Sequence, residues 1–231
     1  MRKLIVGIVC VLIAAGVPAF AQIRAADGLY FAEDDAYASS GWKEMVVVAV
    51  KSGKITSVNW NGVSNLGVVD KKSYAAAGKY GMARAAKQGE WDVQAAKVEA
   101  YLMSTQNPNF TRYTNAEGNT DAITGVSIHV KGFFLLVDKA LKAGPVPKGM
   151  YKKDGWYYAE AASFDPKTGW KDNVLLTVVN GTIVDVVYNG LSKDARKKSK
   201  LVEARKAATA WARSRSRASG IYRLNGSLQP C

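Results

Sequence analysis

Asp121, Thr124, Gly125, Ser127 and His129 all fall within one stretch, TDAITGVSIHV, Thr120 to Val130. A carboxylate, two hydroxyls, a glycine and the chain's one histidine thus stand close together, just ahead of the apolar run GFFLLVDKAL. That run predicts a helix from about Ile128 to Lys142, which puts Ser127 at its start. Free N–H groups and the positive dipole end at such a place favour a phosphate. Gly125, without a side chain, lets the backbone approach a ligand closely. One reading of Ser127 is a covalent attachment point. The competing reading makes it only an N-cap, for which serine is among the preferred residues. His129 can contact a phosphate held there or serve as an ordinary helix residue, and no second metal ligand is spaced beside it.

The elements that must position this stretch come in two copies. DGLYFAEDDAYASSGWKEMVVVAVKSGKITSVNWNGVS, Asp27 to Ser64, matches DGWYYAEAASFDPKTGWKDNVLLTVVNGTIVDVVYNGLS, Asp154 to Ser192. Asp27 pairs with Asp154, Tyr30 with Tyr157, Glu33 with Glu160 and Trp42 with Trp170. Further on, Gly53 pairs with Gly181, Ile55 with Ile183, and Asn61-Gly62 with Asn189-Gly190. Each copy reads as a short strand, a loop and a hairpin. Val46, Val48 and Val50 alternate ahead of a turn at Ser52-Gly53, and Asn180-Gly181 marks the matching turn.

Between the copies lie two helical patterns, about Lys71 to Lys87 and Asp92 to Thr105, then a polar loop, the motif and its helix. A Gly/Pro linker follows. After the second hairpin comes one long basic helical pattern, Lys193 to Arg217, with Leu201, Ala204, Ala208 and Trp211 along one stripe. Nothing in the second copy corresponds to TDAITGVS, so the motif acts once. Trp42, Trp60 and Tyr30 can stack on a flat ligand. Their counterparts Trp170, Tyr188 and Tyr157 sit in the copy without the motif, so packing is the better account of all six. Tyr80 and Met82 are weaker candidates for a ring contact.

Arg2 and Lys3 lead into an apolar run from Leu4 to Phe20, and PAFAQ places Ala19 and Ala21 in A-x-A register. This predicts a secretory signal cleaved after Ala21, with an uncleaved anchor as the rival. Cys10 lies behind Val9 inside the run, a poor lipoprotein acceptor. Export would leave Cys231 as the sole cysteine and no internal disulfide. Lys and Arg outnumber Asp and Glu by 32 to 19, for a formal charge of +13. An exported chain of this charge suits an anionic membrane or polymer surface. No motif supports a nucleic-acid partner. The charges of the basic helix make either a solvated face or a membrane contact.

The DG-x-Y start, the G-W-K step, the valine-rich strand and the G-K-I-T-x-V return resemble the FMN-binding domain family. That family includes exported two-domain flavin carriers of bacterial extracellular electron transfer. TDAITGVS resembles the family's attachment signature, an Asp followed by a hydroxyl-Gly-Ala-Thr block. The resemblance implies an α+β fold of two related small domains, each a curved antiparallel sheet with flanking helices, the second copy truncated. The expected organisation is a signal peptide at 1–21, a motif-bearing domain at 22–143, a linker at 144–150 and a motif-less repeat at 151–231. Asp121 takes the place of the acidic residue, Thr124 and Gly125 the hydroxyl-Gly pair, and Ser127 the esterified Thr. Val126 stands where the family has Ala, and Ser127 where it has Thr, yet a hydroxyl is retained.

By the same resemblance, a flavin transferase takes FMN from FAD and esterifies its phosphate onto Ser127. A membrane reductase upstream and an electron acceptor downstream would be the partners. With one motif, one flavin is the expected load. No catalytic triad, paired carboxylates, P-loop or metal constellation is visible, so an electron carrier is expected rather than an enzyme with its own substrate. The rival is an exported binding or structural module that keeps the fold and has lost the flavin. The Val126 and Ser127 departures and the motif-less second copy speak for it.

Overall fold

Each repeat forms three antiparallel strands. In the first, β1 (Gly28–Glu33), β2 (Trp42–Lys51) and β3 (Lys54–Ser64) pair in chain order. In the second, β4 (Gly155–Glu160), β5 (Trp170–Val179) and β6 (Thr182–Ser192) do the same. The computed structural model describes residues 23–211, so the expected signal segment and the end of the basic stretch, 212–217, lie outside the described residues. The two sheets share even their irregularity. The register slips between Ala49 and Val50 in one and between Thr177 and Val178 in the other.

The identities shared by the repeats have local structural causes. Ser52-Gly53 and Asn180-Gly181 all have positive φ, as a two-residue hairpin turn matched to strand twist requires. The Asp that opens each repeat holds that turn. Asp27 accepts the Ser52 N–H at 2.6 Å, and Asp154 accepts those of Asn180 and Gly181 at 2.8 Å. Asn61 and Asn189, both buried, tie each hairpin to the helix after it. Asn61 Oδ1 accepts the Lys72 N–H at 2.9 Å, and Asn189 Oδ1 that of Leu201 at 3.1 Å.

The helices are α1 (Lys71–Ala76), α2 (Trp91–Thr105), α3 (Lys131–Ala143) and α4 (200–211), with a 3-10 turn at Met82–Arg84. Three boundaries differ from the sequence expectation. The pattern from Lys71 breaks after Ala76, because Gly78 and Gly81 adopt positive φ. The α4 helix starts only after Ser199, whose hydroxyl accepts the Val202 N–H at 3.3 Å. The α3 helix begins at Lys131 with Val130 as its N-cap, so Ser127 stands in the preceding loop and caps nothing.

The layers run helices, first sheet, second sheet. Tyr30, Val46, Val48 and Trp60 face α2 and α3, where they meet Trp91, Val98, Leu102, Phe133 and Val137. The opposite face of that sheet offers Met45 and Val63 to Leu175 and Val187, with Trp156 and Tyr158 packed alongside. Polar contacts cross the same boundary. Trp156 Nε1 lies 3.2 Å from Met45 Sδ, and Asn189 Nδ2 donates to the Asn65 carbonyl at 2.8 Å. Lys43 Nζ bridges Asp185 at 3.0 Å and Glu33 at 2.8 Å.

The outer face of the second sheet has no counterpart of α2 and α3 among the described residues. Tyr157 and Tyr188 there are 43% and 60% exposed, whereas their partners Tyr30 and Trp60 are each 1% exposed. Packing therefore accounts for the aromatic residues of the first copy and not for these two. Among the described residues, no helix is long and apolar enough to cross a membrane.

Burial lifts the Glu33 carboxyl above the ordinary glutamate range; Lys43 opposes the shift and the nearby Asp185 charge adds to it. A raised folded-state pKa contributes stability that is fully present below the unfolded value and is lost as pH rises through the folded one. Glu33→Gln should therefore flatten the decline in stability as pH rises above about 4.3, the unperturbed glutamate value. Urea midpoints measured at stepped pH check this, and an unchanged slope would remove Glu33 as its source.

Candidate functional site

The motif is a loop pinned from below by apolar anchors. Ile123, Ile128 and Val130 are buried in the main core, and Val126 packs against it. The buried Thr120 hydroxyl donates to the Arg112 carbonyl at 2.6 Å and accepts the Ala122 N–H at 3.0 Å. From α2, the fully buried Gln94 reaches under the loop. Its Oε1 accepts the Ser127 N–H at 2.7 Å, the Ile128 N–H at 3.3 Å and the Ser127 hydroxyl at 3.2 Å. Its Nε2 donates to the Gly89 carbonyl at 3.0 Å. The Ser127 and Ile128 N–H groups are thus already satisfied.

Gly125 has φ of 74°, and a β-carbon there would lie 2.6 Å from Lys97 Nζ. That ammonium donates to the Gly125 carbonyl at 2.9 Å. The glycine is accounted for by a left-handed turn and an approaching lysine. Lys97 also adds a positive charge to the motif.

Beside Ser127 opens a groove of about 300 Å³, lined by Glu44, Lys71, Tyr80, Met82, Trp91 and His129 among others. Lys71 is only 3% exposed. Its Nζ lies 2.5 Å from Glu44 Oε1, 4.0 Å from the centroid of the Trp91 ring and 5.4 Å from that of Tyr80. Glu44 Oε2 in turn accepts the Trp60 Nε1–H at 3.0 Å. Burial holds the Lys71 ammonium below the ordinary lysine range, against the pull of Glu44. Burial likewise lifts the Tyr80 phenol, with Glu44 and Glu90 adding to the shift.

The second copy helps to separate scaffold from site. Lys200 pairs with Asp172 at 2.6 Å where Lys71 pairs with Glu44, so the ion pair belongs to the repeat. Gly62 and Gly190 each let the lysine pass, since a β-carbon would meet its side chain at 3.3 Å and 2.9 Å. Among the described residues, the enclosure by Tyr80 and Trp91 and the clamp from Gln94 occur in the first copy alone. Of the residues singled out in the sequence, Ser127, His129, Tyr80 and Met82 meet at this groove. Asp121 and Thr124 are exposed and lie outside its lining, and Gly125 is engaged by Lys97.

Glu44, Lys71, Trp91 and Gln94 were not legible as site residues. A lysine pair at 71–72 reads as a solvated helix start. Gln94 did carry a signal, because it breaks the buried α2 stripe of Trp91, Ala95, Val98 and Leu102. Among the described residues, no group of three or more His, Cys, Asp or Glu side chains is placed to hold a metal ion.

The chain matches no family model and no curated protein. Among solved structures, it resembles a Clostridium thermocellum protein determined in solution by NMR. The two are 47% identical over 51% of this chain and 90% of that one, with a TM-score of 0.41. A crystal structure of a Clostridium perfringens protein matches at 22% identity over 51% of this chain and 87% of that one, with a TM-score of 0.38.

Gln94→Leu keeps the side-chain bulk and removes the acceptor for Ser127 and Ile128. It should cost about 1–3 kcal/mol, the penalty for leaving buried donors unpaired. Amide exchange at Ser127 and Ile128 should accelerate beyond that of the α2 core. Unchanged protection of both amides would show that Gln94 does not hold the loop.

Proposed function

We propose that this chain is an exported electron carrier holding one FMN, joined through its phosphate to Ser127. The observation that carries the reading is the exposed Ser127 hydroxyl at the lip of an aromatic-walled groove with a buried ammonium at its side. The motif and the groove both belong to the first copy. Tyr80 and Trp91 supply flat apolar walls, Met82 a polarizable one, and Lys71 a positive charge. These residues fit a flat ring system rich in hydrogen-bond acceptors. The groove matches the lower end of small-molecule sites, about 300–1,000 Å³.

The bound flavin supplies the electron chemistry. The chain's own residues hold and shape its surroundings. Gln94 Oε1 orients the Ser127 hydroxyl, and the Lys97 ammonium favours an anionic group at the motif. Val126 turns toward the core, so its extra bulk relative to alanine is partly absorbed by packing. A flavin transferase would break the pyrophosphate of FAD, form the Ser127 Oγ–phosphorus bond and release AMP. A membrane reductase would then supply electrons and a downstream acceptor would take them.

One observation favours the second reading, a fold that has lost its flavin. The Ser127 and Ile128 N–H groups are spent on Gln94 and offer nothing to a phosphate. Co-expression with a flavin transferase separates the two. The denatured protein should show yellow-green fluorescence on its gel band, and Ser127→Ala should abolish it. A dark wild-type band, with no flavin absorbance in the native protein, supports the second reading. Fluorescence that survives Ser127→Ala moves the attachment to another hydroxyl.

A further inference from the structure

We propose that the outer face of the second sheet is a docking surface for an anionic lipid bilayer. Tyr157, Leu176, Val178, Ile183, Val186 and Tyr188 occupy the positions that form the sheet side of the main core in the first copy. The second copy keeps these positions apolar, and among the described residues it lacks the helices that cover them in the first. Val186 is 54% exposed against 7% for its counterpart Val58. An apolar sheet face left open in this way is the mark of an interaction site.

The surroundings of the face identify the occupant. The segment from Gly149 to Tyr151 is bonded to the β5–β6 turn, with the Gly149 N–H donating to the Asn180 carbonyl and the Tyr151 N–H to the Gly181 carbonyl. It presents Met150, 86% exposed, and Tyr151, 51% exposed. Tyr151, Lys152 and Lys153 line one apolar groove together with Tyr157, Leu176, Val178 and Ile183. Lys148 stands next to them, beside Tyr151 and Lys152. Among the described residues none of these three lysines makes an ion pair. The neighbouring acid, Asp154, spends both carboxylate oxygens on the backbone of Asn180 and Gly181.

An apolar centre with tyrosines, rimmed by unpaired lysines, is complementary to a bilayer with anionic headgroups. Tyrosine settles at the headgroup level, lysine stems lie along apolar surface, and their ammonium ends meet the phosphates. A second copy of the chain is the poorer occupant. Two such faces laid together would bring like-charged lysine rims into contact. Docking through this face leaves the groove of the first repeat, on the far side of two sheets, uncovered. The proposal does not depend on the flavin reading.

Sedimentation of the purified full chain with vesicles tests it, using phosphatidylcholine alone and phosphatidylcholine mixed with phosphatidylglycerol. The protein should sediment only with the anionic vesicles, and high salt should release it. Lys152→Glu/Lys153→Glu should weaken binding about tenfold or more, and Val186→Glu should weaken it separately, with circular dichroism showing both variants folded. Because Lys152 and Lys153 are exposed, their variant remains decisive even if Val186→Glu unfolds the sheet. Equal binding to neutral vesicles, no binding, or binding untouched by the lysine variant overturns the proposal. A dimer in sedimentation velocity that Val186→Glu dissolves would assign the face to a second copy instead.

Discussion

Strands β2 and β3 bury side chains on both faces. Val46, Val48 and Trp60 meet the helices, while Met45 and Val63 meet Leu175 and Val187 of the second sheet. An antiparallel sheet commonly packs one face and leaves the other to water. Here the second repeat takes the place of water. Fully burying one such apolar side chain is worth about 1.5–3 kcal/mol, and Met45 and Val63 are fully buried in that layer. The second copy therefore serves as the rear wall of the first, and its own outer face is uncovered among the described residues.

That arrangement also explains why the chemistry is one-sided. Both copies own the lysine–carboxylate pair behind the glycine of the Asn-Gly step, so the pair is part of the hairpin-to-helix joint. Among the described residues, only the first copy carries helices over the outer face of its sheet. Those helices bring Trp91 over Lys71 and Gln94 beneath Ser127, turning a structural ion pair into the floor of a groove. The site is thus the shared hairpin unit with a helical layer added.

The hairpins were legible in the sequence because alternation and the two positive-φ turns act over a few residues. The two related sheets followed from the same signals, whereas the α+β class was implied by the resemblance to the FMN-binding domain family. Ser127 was misplaced as a helix start because Ile128 and Val130 continue the apolar pattern of α3 while serving as loop anchors. Periodicity does not distinguish an anchor from a first helical turn. The burial of Lys71 was hidden for a related reason, since its partners come from β2 and α2, far along the chain. Recurrence of the aromatic residues in the motif-less copy points to packing, yet Tyr157 and Tyr188 are exposed, because among the described residues no helical layer covers them. Contacts between the repeats have no local signature at all.

The most direct measurement of the central claim is tandem mass spectrometry of the protein co-expressed with a flavin transferase and digested with trypsin. Cleavage after Arg112 and Lys131 isolates Tyr113 to Lys131, which contains the whole motif. The account predicts that this peptide carries the mass of FMN less one water, with fragment ions placing it on Ser127. An unmodified peptide, or an adduct on Thr120 or Thr124, would contradict it.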